Sequence, residues 1–210
     1  MKNGFFITFE GPDGSGKSTT LEKVATYFKE NNIDYIKTRE PGGSNIAQQI
    51  RNILLDENNK DISPTTEALL FAASRAQHFD EVIIPALSQN KVVLCDRFID
   101  SSLAYQGYAR NLGMKEILSI NNFAINDKLP DLTIFFDLEP NLGLERIQAS
   151  GQREVNRLDL EGLKFHEKVY QGYQEVIKMY PDRFKVIDAS QSIEDVCHDV
   201  LSIIKEKLNG

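Results

Sequence analysis

The sequence predicts an α/β sandwich in which a parallel sheet is covered by helices on both faces. Two observations carry that expectation: short runs that are continuously rather than alternately apolar, and long stretches of helical periodicity between them. Gly4 to Phe9 (GFFITF) reads as the first strand, and the pattern from Lys17 to Asn31 as the helix after it. Tyr35 to Thr38 is a weaker run and makes a further strand. Lys91 to Cys95, Leu132 to Leu138 and Phe184 to Ile187 are rich in Phe, Val and Ile and make three more. Ser63 followed by Pro64 gives an N-cap with proline at the first helical position. It opens a long helix running toward Asn90, which Pro85 should kink or end. The polar stretch Ser150 to Arg157 (SGQREVNR) lies between two helical patterns and reads as a mobile surface loop. No repeat, low-complexity tract or linker interrupts the 210 residues, so one domain over 1–210 is expected.

Composition narrows the function classes. With 41% hydrophobic and 26% charged residues the chain can bury a core. Its formal charge of −7 argues against a nucleic-acid partner, because phosphate backbones select a basic excess. An anion must then be held in a local pocket. Cys95 stands in an apolar run and Cys197 in a helical pattern, so both read as small buried hydrophobes rather than as a disulfide or zinc framework. The apolar part of MKNGFFITFEG is too short for a signal peptide, and no run approaches a membrane span. No membrane partner and a cytoplasmic location are expected.

The stretch FEGPDGSGKST, Phe9 to Thr19, carries the chemistry. Gly11, Gly16, Lys17 and Ser18 satisfy G-x-x-x-x-G-K-[ST] after a strand and before a helix, the context this phosphate-binding loop requires. Backbone N–H groups of Gly11, Pro12, Asp13, Gly14, Ser15, Gly16, Lys17, Ser18 and Thr19, proline excepted, are placed to wrap nucleotide phosphates at the positive end of the helix. Lys17 reaches the β- and γ-phosphates, and the Ser18 hydroxyl is offered to Mg²⁺. Asp96, closing KVVLCD, stands where a second metal-holding carboxylate belongs. No N-K-x-D string follows a strand; Asn126 to Lys128 reads NDK, in the wrong order for a guanine-nucleotide switch. Three arginines lie beside strand ends or turns: Arg39, Arg97 and Arg153. The arginine fork suits bidentate binding of a second phosphate.

The strings TREPGG (Thr38 to Gly43), DRFIDSSLAYQG (Asp96 to Gly107) and GPDGSGKS together resemble the bacterial thymidylate kinases, and the resemblance runs along essentially the whole chain. It implies a P-loop three-layer sandwich, five parallel strands in the order 2-3-1-4-5, helices on both faces and a short lid at about 150–157. It implies ATP and dTMP as substrates, Mg²⁺ as cofactor and a homodimer, with the apolar helix Pro64 to Leu87 a candidate interface. Phe71, Arg75 and His78 recur at i, i+4 and i+7 and share a helix face. By resemblance Phe71 stacks on thymine and Arg75 bonds its exocyclic oxygen, while His78 has no assigned role and reads as structural. Ser102 and Gln106 are similar in position to residues facing the base, and Tyr105 to one against the sugar. Asp13 corresponds to a carboxylate at the acceptor's sugar hydroxyl, an arrangement that goes with a catalytic arginine in the lid. Arg153 fits, and Arg157 is its rival. Arg146 resembles the arginine flanking adenine, and Glu40–Pro41 is a candidate cis peptide supporting Arg39. Another nucleotide or deoxynucleoside kinase, or an ATP-binding regulatory P-loop protein, are the competing readings.

Overall fold

The computed structural model describes residues 4–150 and 156–209. Five parallel strands form the sheet: β1 (Phe5–Glu10), β2 (Tyr35–Arg39), β3 (Val92–Asp96), β4 (Leu132–Asp137) and β5 (Phe184–Asp188). Their order is β2-β3-β1-β4-β5, as expected. Four strands run one residue beyond their expected C-terminal end, and each added residue is polar: Glu10, Arg39, Asp96 and Asp188. An apolar-run criterion stops too early there, because the carboxyl edge of the sheet is where polar groups are needed.

Alternate strand residues feed two cores. Phe6, Val93, Cys95 and Phe135 pack with Val169, Tyr173 and Val176 of the long helix that precedes β5. Ile7, Phe9, Leu94, Ile134 and Phe136 face Leu21, Val24 and Phe28 of α1 (Lys17–Glu30), with Val196, Val200 and Ile204 of the C-terminal helix. Phe6, Phe9, Phe28, Phe135 and Phe136 are fully buried. Each contributes about 1.5–3 kcal/mol of apolar transfer. Both cysteines are buried and free, as their sequence settings imply.

Between β2 and β3 lie α2 (Asn45–Leu55), α3 (Pro64–His78) and α4 (Ile84–Ser88). Ser63 caps α3, its hydroxyl accepting from Thr66 N–H. The long helix expected toward Asn90 runs from Pro64 to Ser88, with its irregularity just upstream of Pro85: a π turn at Phe79–Ile83 joins α3 to α4, which has Pro85 in its first turn. Proline has no N–H to give the preceding turn, and the wider turn takes up the irregularity upstream of it. After β3 come α5 (Ile99–Ser102), a second π turn at Leu103–Ala109, and α6 (Met114–Ile125). The chain continues through α7 (Pro140–Ser150), α8 (Leu163–Met179) and α9 (Ile193–Asn209).

Candidate active site

At the carboxyl edge of the sheet the register levels the chemistry. Arg39 and Phe9 both pair with Asp96, so the ends of β2, β3 and β1 arrive side by side. Ligands of open parallel sheets bind at this edge. A cavity of about 450 Å³ opens there. Every residue expected in the site lines it except Gly11, Pro12 and Ser15, which shape the loop from behind, and Arg153, which lies outside the described residues.

The loop after β1 curls around Lys17, whose ammonium donates to the carbonyls of Gly11 at 2.9 Å and Pro12 at 2.7 Å. Burial, reinforced by the Arg97 charge, pulls Lys17 down to about 8. Gly14 has a φ of +78°, and a Cβ there would sit 2.2 Å from the Gly143 carbonyl, so α7 can lie directly on the loop. The Ser18 hydroxyl donates to Asp96 Oδ2 at 2.8 Å. This pair offers only oxygen ligands beside the phosphate loop, which suits Mg²⁺, an ion usually held by one or two protein oxygens plus substrate phosphates. Among the described residues no cluster of three or more His, Cys, Asp or Glu could cage a metal without substrate.

Arg97 follows β3 in the left-handed region, φ 67°, a conformation unusual for a side-chain-bearing residue. Its guanidinium donates to Asp13 at 2.8 Å, to the Ser101 hydroxyl at 3.2 Å and to the Tyr173 hydroxyl at 3.1 Å. It also lies 5.5 Å from the Tyr105 ring centre. Both hydroxyls in turn contact Glu10, Ser101 at 2.6 Å and Tyr173 at 2.9 Å, and Phe98 N–H donates to the same carboxyl at 2.7 Å. Arg97 is thereby braced from behind while its Asp13 side faces the cavity. Glu10 is fully buried, and burial together with the neighbouring Asp100 charge raises it to about 7 from an ordinary 4.5. The folded state therefore holds a proton that the unfolded chain releases, so this group's contribution is fully present below pH 4.5 and lost as pH rises through 7. Wild type is expected to lose roughly 3 kcal/mol of stability relative to Glu10→Gln between pH 5 and 8. Denaturant midpoints across that range measure it, and a constant difference between the two proteins would refute it.

The helical wall carries the rest. Arg75, 2% exposed, donates to Glu40 at 2.7 Å, Ser102 at 2.9 Å, the Phe98 carbonyl at 3.0 Å and Asn121. Glu40 also accepts from His78 at 2.9 Å, and Thr38 bonds the other ring nitrogen at 2.7 Å. His78 is thus a structural brace, as its sequence position suggests. Gly43 makes the brace possible, since a Cβ there would stand 2.3 Å from the imidazole. The Glu40–Pro41 bond is cis. Phe71 is 9% exposed and lines the cavity, as do Ser102, Tyr105 and Gln106 from α5 and its π turn. Arg39 is exposed at the cavity mouth. Arg146 donates to the carbonyls of Ala189 and Ser190 and borders the same space.

One expectation needs correction. The end of the 150–157 stretch is not a surface loop: Arg157 is 7% exposed and donates to Glu67 at 2.6 Å and to the Leu54 carbonyl at 3.0 Å. The buried Glu67 carboxylate requires a counter-charge, and polarity along the sequence does not reveal that demand. A guanidinium so engaged does not face the transferring group, which weighs against Arg157 as the lid arginine. Glu10, Glu40, Glu67, Asn121, Tyr173 and the cavity-lining Arg51 were not anticipated. Glu40, inside the TREPGG string, and Glu10, inside FEGPDGSGKST, carried a usable local signal.

A phosphate-cradling loop, a lysine, a serine–aspartate pair at the strand ends and a second arginine-bearing wall define a P-loop phosphotransferase of the nucleotide kinase type. The comparisons place it more narrowly. Residues 9–200 match the family described as thymidylate kinase. The thymidylate kinase of Clostridium novyi (strain NT) is 54% identical over 98% of this chain and all of its own. That of Oceanobacillus iheyensis is 55% identical over 98% of this chain and 92% of its own. The crystal structure of thymidylate kinase from Ehrlichia chaffeensis superposes with a TM-score of 0.78 at 34% identity, covering 96% of this chain and 98% of that one. The chain belongs to the thymidylate kinase family. Among the described residues no helix is long and apolar enough to cross a membrane.

Proposed function

We infer that this protein transfers the γ-phosphoryl group of ATP to dTMP, giving dTDP and ADP, in the cytoplasm. One observation carries the reading: a single cavity is lined both by the phosphate loop and by Phe71, Arg75 and Gln106, with the Arg97–Asp13 pair also on its wall. Donor phosphates and a planar acceptor base can then meet in one open cavity. The nucleophile is a phosphate oxygen of dTMP, whose second pKa of about 6 leaves it largely dianionic at neutral pH. No protein base is then required. The obstacle is repulsion between two anionic groups, and catalysis is positioning and charge compensation.

Lys17 compensates the donor phosphates, Arg97 and Arg39 hold the acceptor phosphate, and Asp13 orients Arg97 and the sugar hydroxyl. Ser18 and Asp96 would hold Mg²⁺, which when bound neutralises charge on the β- and γ-oxygens. Phe71 stacks on the base, Arg75 and Ser102 meet its polar edge, Tyr105 lies against the sugar, and Arg146 flanks adenine. Arg153, in a lid at about 150–157 of a single 1–210 domain, with Arg157 anchoring the end of that stretch, supplies the charge to the transferring group; this rests on its sequence position together with the acidic residue in the P-loop. Arg153→Ala is expected to lower kcat far more than it raises KM for dTMP, and an unchanged kcat would remove it from the mechanism.

The deciding experiment offers dTMP, dUMP, UMP and thymidine with ATP and Mg²⁺. ADP release that depends on dTMP is expected. Release independent of acceptor, or greater with thymidine, would overturn the reading in favour of a regulatory ATPase or a nucleoside kinase.

We also propose a homodimer. Phe123 on α6 is 90% exposed and Leu69 on α3 is 53% exposed, and these two helices pack together, so their outer apolar residues can form one covering surface. Sedimentation of wild type at micromolar concentration should give a dimer and Phe123→Asp a shift toward monomer. A monomeric wild type would refute it.

A further inference from the structure

Glu67 is 1% exposed on α3 and gathers donors from three side chains. Gln106 Nε2 reaches it at 2.9 Å, Arg110 through Nε and Nη2 at 3.3 Å each, and Arg157 through Nη2 at 2.6 Å. Burial pushes the carboxyl up, but the Gln106 hydrogen bond and the two guanidinium groups outweigh this and hold it below the usual range. Glu67 is therefore an ionised acceptor, rigidly held, and has no proton to give.

That fixes its neighbour. Gln106 is 1% exposed and lines the cavity beside Phe71, Arg75 and Ser102. A free amide cannot tell two kinds of pyrimidine apart. A 4-keto ring presents an N3–H donor next to a carbonyl acceptor, whereas a 4-amino ring presents an N3 acceptor next to an N–H donor. The same amide satisfies either by a half-turn of its last torsion, which exchanges its oxygen and nitrogen. Discrimination at Gln106 depends on whatever forbids the half-turn. Turning it would set Oε1 against the Glu67 carboxylate, two buried acceptors with no proton between them.

We propose that Glu67 is a specificity-determining positioning residue: by holding Nε2 of Gln106 it fixes which way the amide faces, so the cavity accepts a 4-keto pyrimidine nucleotide and rejects a 4-amino one. Arg157, at 2.6 Å, acts through Glu67 by keeping it charged and in place, while the longer 3.3 Å contacts of Arg110 are not required for that. The inference rests on the reading that the acceptor base lies against Phe71, Arg75 and Gln106.

In Glu67→Gln the new side chain has both a donor and an acceptor, so it tolerates Gln106 in either orientation. The measurement is kcat/KM for dTMP and dCMP with ATP and Mg²⁺ on the full chain. The dCMP-to-dTMP ratio is expected to rise at least about tenfold, within what one hydrogen-bond pattern commands. Arg110→Gln, which leaves the carboxylate–amide bond in place, is expected to keep the wild-type ratio. An equal loss for both substrates in Glu67→Gln, or the same change of ratio in Arg110→Gln, would overturn the proposal. Wild type itself supplies a second measurement that does not depend on how the variant folds. Solvent exchange of the Gln106 side-chain protons, assigned by their loss in Gln106→Met, should be slow for at least one proton, and fast exchange of both would also overturn it. A wild type inactive on dTMP would sink the functional reading, whereas an active one with an unmoved ratio sinks only the role of Glu67.

Discussion

Replacing Arg97 by alanine is expected to lower kcat/KM for dTMP by about 10³ or more while leaving the secondary structure intact. The side chain is the meeting point of Asp13, Ser101 and Tyr173, and it faces the cavity from the end of β3. Its loss removes a fixed charge where the acceptor phosphate is proposed to lie, and with it the guanidinium that faces the Asp13 carboxylate. The defect should therefore appear in both kcat and the KM for dTMP, with the KM for ATP much less affected. Arg97→Lys should recover little, because an ammonium cannot meet Asp13, two hydroxyls and a phosphate with one planar fork. Steady-state kinetics with each substrate varied in turn checks this. A variant retaining a tenth of wild-type kcat/KM would show that Arg97 is scaffold only.

The largest effect on stability is expected at Arg75. Glu40 is 4% exposed, and its carboxyl group is met by the Arg75 guanidinium on one oxygen and by a hydrogen bond from His78 on the other. Arg75→Met keeps the bulk but leaves a buried carboxylate half-answered and strips donors from Ser102, Asn121 and the Phe98 carbonyl. Breaking such a pair from one side costs about 3–5 kcal/mol. Adding Glu40→Gln to Arg75→Met should return part of that loss, a coupling of about 1–3 kcal/mol in a double-mutant cycle read from denaturant unfolding. Strictly additive single effects would mean that the pair contributes nothing beyond its packing.

What could be read from the chain and what could not divide along sequence distance. The phosphate loop, the five apolar strands and the Phe71–Arg75 face are local patterns, spelled within eleven residues or fewer. Their mutual placement follows once parallel strands bring their carboxyl ends level. The bracing groups are different. Glu10 and Tyr173 are 163 positions apart, Glu67 and Arg157 are 90, and no local pattern marks either pair. Their need for each other arises only after burial removes water from a charge. The π turns are equally silent: nothing in the residue pattern of Leu103–Ala109 marks the wider turn that carries Tyr105 and Gln106. Arg157 was misplaced for the same reason, since a polar neighbourhood in sequence became an ion cluster under α3.

The left-handed backbone at Arg97 bears on how this chain can drift through evolution. Glycine would relax that conformation most, and asparagine in part, as it does at Asn32, Asn90, Asn111 and Asn126, but neither has a positive charge to offer. Lysine keeps a charge but neither the fork nor the relief. Among single replacements, improvement in folding and retention of turnover thus point to different residues. Descendants of this sequence can vary their helices and outer surfaces widely while this position stays pinned between two incompatible demands.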